Sequence, residues 1–220
     1  MLRERLDRVE ERIQSAVKRA GRQRSDVTLI AVTKKFPAEV TCQAYELGLR
    51  YFGENYVQEF EAKLPALAGL TGAEFHLIGH LQSNKAGSAA QLFQTIETVD
   101  SERLARRLDQ TGRAIEVMIE VKLSEEDAKA GAAPETVPGL VEAIRACPNL
   151  RLAGLMTMPP WSDDPEQTRP YFRRLAALAR TCGLAKLSMG MSNDFEAAIE
   201  EGATHIRVGT ALFGPRKKDG

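Results

Sequence analysis

From Leu6 through Val9, Ile13, Val17 and Ala20, apolar residues recur every three or four positions amid Arg and Glu, until Gly21 interrupts them. That spacing lays one apolar stripe along a helix, so an amphipathic helix opens the chain. The next segment, VTLIAVT at 27–33, is β-branched and almost continuously apolar, as a parallel strand buried on both faces must be. The two patterns then alternate. Helices are predicted over 38–47, 56–67, 85–92, 101–111, 134–147, 166–182 and 194–201, with strands at 50–53, 74–79, 95–99, 115–121, 151–156, 187–189 and 205–208. Ser101 stands where a helix N-cap is wanted. Eight strands alternating with helices, after one extra N-terminal helix, predict an α/β fold closed into a (β/α)8 TIM barrel.

The rival is an open doubly wound sheet, but the first strand leads into T-K-K-F-P and not into a glycine-rich phosphate loop. At 220 residues the chain lies within the range over which α/β barrels run as one domain, and no shift in composition divides it, so 1–220 is read as a single domain. Thirty basic residues balance thirty acidic ones, which gives no overall field to draw in nucleic acid or anionic lipid. The dense basic run Arg216, Lys217 and Lys218 reads as a solvated tail. Cys42, Cys147 and Cys182 lack any metal-ligand or C-x-x-C spacing and are expected to be reduced. The opening MLRERLDRVEERIQ has no apolar core for a signal peptide, and no apolar stretch reaches membrane-spanning length, so a cytoplasmic protein is expected.

In such barrels the chemistry sits at the C-terminal ends of the strands. Period-two alternation puts Lys34 on one face with Ile30 and Val32. A lysine there is either a partly desolvated amine able to attack an aldehyde or a side chain snorkelling out of a strand end. Asn55 follows the second strand as a ligand donor or as a helix cap. His76 and His80, four apart at the third strand, lack a third ligand for a metal, and the polar turn Gln82, Ser83, Asn84 and Lys85 follows them. Ser192, Gly209 and Thr210 lie after the last two strands, where barrels place phosphate sites, with Ser192 read as a helix cap whose neighbouring N–H groups face the anion. Arg207 alternates with Val208 and points inward, toward either a ring nitrogen or a buried carboxylate such as Glu120.

Together and in order, AVTKKFP, FGENYVQE, FHLIGHLQSNK, GLMTM, LSMGMSNDFEAAI and IRVGTALFG make the chain resemble the pyridoxal phosphate homeostasis proteins of the YggS/PROSC type. The resemblance implies a fold-type III barrel like the N-terminal domain of alanine racemase. It implies pyridoxal 5′-phosphate held as a Schiff base on Lys34, with Asn55 beside it, Ser192, Gly209 and Thr210 on the phosphate, and Arg207 facing the pyridine nitrogen. It further implies a part in cofactor homeostasis without an established reaction, with apo-enzymes that use the cofactor as recipients. SEEDAKAG, which contains Lys129, matches a family loop after the fifth strand, and Phe36 in the turn after Lys34 is a bulky residue that bears on access.

An amino-acid racemase is the alternative. The resemblance implies that racemisation would need a second base, a tyrosine from an added domain; the chain ends just after the eighth strand, and none of Tyr45, Tyr51, Tyr56 or Tyr171 has an evident claim to that place. Negligible racemase turnover, no catalytic residue, no metal and a monomer are therefore expected. A cofactor-free barrel binding a phosphorylated metabolite is the third possibility.

Overall fold

The computed structural model describes residues 1–124 and 130–215. Lys129 and the run Arg216, Lys217 and Lys218 lie outside the described residues. Eight parallel strands close into a barrel in chain order, β1 (Thr28–Val32), β2 (Tyr51–Glu54), β3 (Glu74–Leu77), β4 (Thr95–Val99), β5 (Ile115–Glu120), β6 (Leu150–Met156), β7 (Lys186–Met191) and β8 (His205–Val208), with β8 pairing back onto β1. Between them run α2 (Ala38–Glu46), α3 (Val57–Leu67), α4 (Ala86–Leu92), α5 (Glu102–Asp109), α6 (Val137–Arg145), α7 (Arg169–Thr181) and α8 (Phe195–Glu200). Every residue of β4 and β5 is buried, Glu97, Glu116 and Glu120 included, so these strands carry acids into the core as well as apolar side chains.

The opening helix, α1 (Leu2–Arg19), buries Leu6, Val9, Ile13, Ala16 and Val17. It packs on α8 and on a short terminal helix, α9 (Thr210–Phe213). Its polar side is tied down as well. Arg12 grips Glu196 through two nitrogens at 2.8 and 2.6 Å and lies 4.3 Å over the Phe195 ring, while Arg19 pairs with Glu200 at 2.6 Å. This packing fixes the last βα segments against the first helix.

The elements agree with the sequence reading in kind and order but differ at their edges. Helix α6 is preceded by a 3₁₀ turn at Pro134–Thr136 and α7 by one at Pro165–Gln167, each opening on a proline whose fixed φ suits a first turn. Strand β3 stops at Leu77, and β7 extends to Met191 across a register shift. Helix α9 went unforeseen: four residues are too few to display a helical period. Among the described residues no helix is long and apolar enough to cross a membrane.

Candidate functional site

A cavity of about 500 Å³ opens at the C-terminal ends of the strands, and Lys34, Asn55, Ser192, Arg207, Gly209 and Thr210 all line it. Lys34 lies two residues past the end of β1, half-buried, with Nζ 3.1 Å from Asn55 Oδ1. The two loops that carry them share a buried support. Thr33 donates to Glu54 Oε1 at 2.8 Å, and Lys63 of α3 reaches the same oxygen at 2.9 Å and the Thr33 carbonyl at 3.1 Å. Glu59, one turn from Lys63, accepts from the Lys35 backbone N–H at 2.5 Å. That contact holds Lys35 at φ 61°, a left-handed conformation uncommon for a residue with a side chain, and turns it outward while Lys34 faces the cavity. Burial raises the Glu54 pKa, although Lys63 and Thr33 pull it down.

On the opposite wall, Ser192 Oγ accepts from the backbone N–H groups of Gly209 at 3.3 Å and Ala211 at 3.2 Å. The sequence reading of Ser192 as the cap of the following helix is thereby corrected. Helix α8 begins after Asp194, whose carboxylate accepts from Met191 N–H at 2.7 Å, and the Ser192 hydroxyl serves the amides at the start of α9 instead. Arg12 of α1 donates to the Ser192 carbonyl at 3.3 Å and steadies the turn. At Gly209 an added Cβ would meet Val32 at 3.4 Å, an ordinary contact, whereas one at Gly79 would lie 2.3 Å from the Asn55 carbonyl oxygen. The close backbone approach that shapes this site is at Gly79, where the chain leaving β3 crosses the Asn55 turn.

Arg207 points inward as expected, buried in the barrel, but it does not pair with Glu120. Its Nη1 donates to Ser188 Oγ at 2.6 Å and its Nη2 to the Thr157 carbonyl at 2.8 Å. Glu97 stands behind Ser188 with Oε2 at 2.5 Å from the hydroxyl and Oε1 at 2.7 Å from His76 Nδ1. Burial opposes ionisation of Glu97, but His76, Arg207 and His205 outweigh it and hold the pKa at about 2. Sequence reasoning passed over Glu97 and Lys63. The available signal was a lone Glu between Ile96 and Thr98 inside a fully buried strand.

Residues 5–217 match the family described as alanine racemase, N-terminal domain. The pyridoxal phosphate homeostasis proteins of Aquifex aeolicus and Pseudomonas aeruginosa are each 44% identical to the chain, over 97% of its length and over 98% and 95% of theirs. The chain belongs to this family. A solved relative, PipY of Synechococcus elongatus with PLP bound, is 38% identical, superposes with a TM-score of 0.83, and is covered along 100% of its length by 94% of this chain.

Other residues that drew attention in this member of the pyridoxal phosphate homeostasis family lie elsewhere. His76 and His80 part company because β3 ends between them: His76 turns into the barrel toward Glu97, while His80 is exposed 3.7 Å from Asp100. The polar turn after them forms a 3₁₀ turn at Ser83–Lys85 and lines a separate shallow cleft. Phe36 packs on Phe213 of α9 at 5.4 Å between ring centroids, which moves it off the cavity wall. Of the tyrosines, Tyr45 bonds the Thr71 carbonyl at 2.7 Å, Tyr51 lines the opposite mouth of the barrel, Tyr171 packs in α7, and Tyr56 stands half-exposed before α3.

Proposed function

We propose that this protein binds pyridoxal 5′-phosphate covalently through Lys34 and takes part in the cell's handling of that cofactor, with no substrate turnover of its own. The observation that carries the reading is the Lys34 amine beside Asn55 on one wall of a cavity whose other wall presents Ser192, the amides of Gly209 and Ala211, Thr210, and a fixed arginine. The donor set fits the group. An amine suits its aldehyde, the Ser192 and Thr210 hydroxyls suit its phosphate, and a guanidinium suits an unprotonated ring nitrogen. The PLP-bound relative and the names of the homeostasis proteins support it.

When bound, the cofactor supplies an electrophilic carbon and a conjugated ring. In this chain Lys34 holds it, Asn55 orients the amine, and Ser192, Gly209 and Thr210 anchor the phosphate end. Arg207 cannot give up its proton, so it leaves the ring nitrogen unprotonated and weakens the ring as an electron sink. None of the four tyrosines lines this cavity, which speaks against a tyrosine base for racemisation. Apo-enzymes that require the cofactor are the recipients in this reading.

The test is a visible absorption spectrum of the full chain with pyridoxal phosphate, before and after borohydride, beside Lys34→Ala. A band that disappears on reduction, leaves the cofactor fixed to the peptide containing Lys34, and is absent from the variant is the expected result. A chain that stays colourless with added cofactor would overturn the reading, and a barrel for some other phosphorylated metabolite would replace it.

A further inference from the structure

Buried side chains join the two ends of the barrel. At the N-terminal mouth, Tyr51, Glu74, His76, Glu116, Lys186 and His205 surround a cavity of about 670 Å³. Glu116 is already paired there, with Lys186 at 2.8 Å and Arg151 at 2.5 Å. His76 looks the other way: its Nδ1 lies 2.7 Å from Glu97, and its buried Nε2 has no hydrogen-bond partner among the described residues. From Glu97 the chain continues through Ser188 at 2.5 Å to Arg207 at 2.6 Å, and Arg207 reaches the cavity at the far end.

With Glu97 ionised, the donor at each link of this string follows. An ionised carboxylate only accepts, so His76 donates its Nδ1–H to one oxygen of Glu97 and the Ser188 hydroxyl donates to the other. The single hydroxyl proton of Ser188 is then committed, and its lone pair takes the N–H of Arg207. The other Nη of Arg207 is tied to the Thr157 carbonyl. A guanidinium is rigid and planar, so anchoring both terminal nitrogens defines its plane. A buried carboxylate is a costly way to fill space, and an apolar residue of similar size packs at least as well. Packing therefore leaves Glu97 without a reason to be an acid; orientation gives it one.

We propose that Glu97 is a positioning residue which, through Ser188, fixes the Arg207 guanidinium in the attitude it presents to a ring nitrogen in the cofactor cavity. The inference rests on the reading that pyridoxal phosphate enters that cavity with its nitrogen toward Arg207. Loosened from Ser188, the guanidinium yields part of its place to water, and proton occupancy of the ring nitrogen rises.

Nitrogen-15 NMR on the full chain tests this in two states. In the cofactor-free protein, the Arg207 Nη protons exchange slowly with water. Glu97→Gln and Ser188→Ala each speed that exchange by about tenfold or more, as loss of a charge-assisted hydrogen bond implies, and the double variant goes little further. In protein loaded with ring-labelled pyridoxal phosphate, both variants move the ring nitrogen signal toward its protonated position while the cofactor stays on Lys34. Unchanged Arg207 exchange overturns the proposal. So does faster exchange that merely tracks backbone amides throughout the barrel, since that marks general loosening. An unchanged ring signal overturns it too. If Glu97→Gln does not fold, Ser188→Ala, which removes one oxygen, decides alone. If the wild-type chain takes up no pyridoxal phosphate, the underlying reading fails, and the exchange measurement still decides whether Glu97 holds Arg207.

Discussion

At the end of β5, Glu120 is buried, and its Oε2 has no hydrogen-bond partner among the described residues. Burial pushes its pKa up to about 7 against the pull of Arg207. Between the ordinary value of 4.5 and about 7, the folded chain therefore holds a proton that the unfolded chain has lost. Stability from this group is complete below the lower limit and drains away as pH rises through the upper one. At about 1.4 kcal/mol per pH unit between those limits, the wild type should lose up to about 3 kcal/mol relative to Glu120→Gln on going from pH 5 to pH 8. Denaturant titrations of both proteins at the two pH values measure it, and a difference that does not change with pH sinks the argument. Where single residues lie was legible in the sequence when a strand end alone fixes the place, as for Lys34, Asn55 and Arg207, which line one cavity. They were not legible where the role depends on a remote partner: Ser188 and Glu97 meet across 91 positions, and Ser192 was misassigned because the helix whose amides it serves was invisible.

One element scale up, the site depends on how the ends of β1 and β2 are clamped by α3. Lys63 and Glu54 form an ion pair with 9% and 0% of their side chains exposed, and the same lysine holds the Thr33 carbonyl next to Lys34. Removing one partner of such a pair leaves a bare charge in the core, which costs about 3–5 kcal/mol. Lys63→Ala should lose stability of that order in a denaturant titration and weaken attachment at Lys34, since both supports of the turn go together. A loss below about 1 kcal/mol would mean that water reaches Glu54 and the clamp is not what orders the turn. Element type and order were readable because buried parallel strands and amphipathic helices have different periods. Their edges were not. Where β3 stops depends on Gly79 crossing the Asn55 backbone, a contact between segments that no local pattern encodes.

For the molecule as a whole, closing a parallel sheet delivers all eight strand C-termini to one face, so residues from 34 to 211 meet in one cavity. The alternation that predicts the barrel thus also predicts which end carries the candidate site. What it does not predict is the character of the rim. Among the described residues, the large apolar side chains that remain exposed, Met1 aside, are Tyr56, Met158 and Trp161, and the last two line the cavity. Exposed aromatic surface at the mouth of a site is what a protein partner buries, and Trp is prominent among the anchors of such contacts. If this protein hands its cofactor directly to apo-enzymes, the transfer rate rises in proportion to acceptor concentration and exceeds the rate of release into buffer. Passive release instead sets a ceiling that no excess of acceptor can lift. Trp161→Ala should lower the acceptor-dependent rate about tenfold, the factor that loss of about 1.4 kcal/mol of contact energy implies, while release into buffer changes less. Stopped-flow transfer to an apo-enzyme, run beside release into an aldehyde trap, separates the two. Equal rates at every acceptor concentration would make the protein a reservoir, and its exposed rim would then need another explanation.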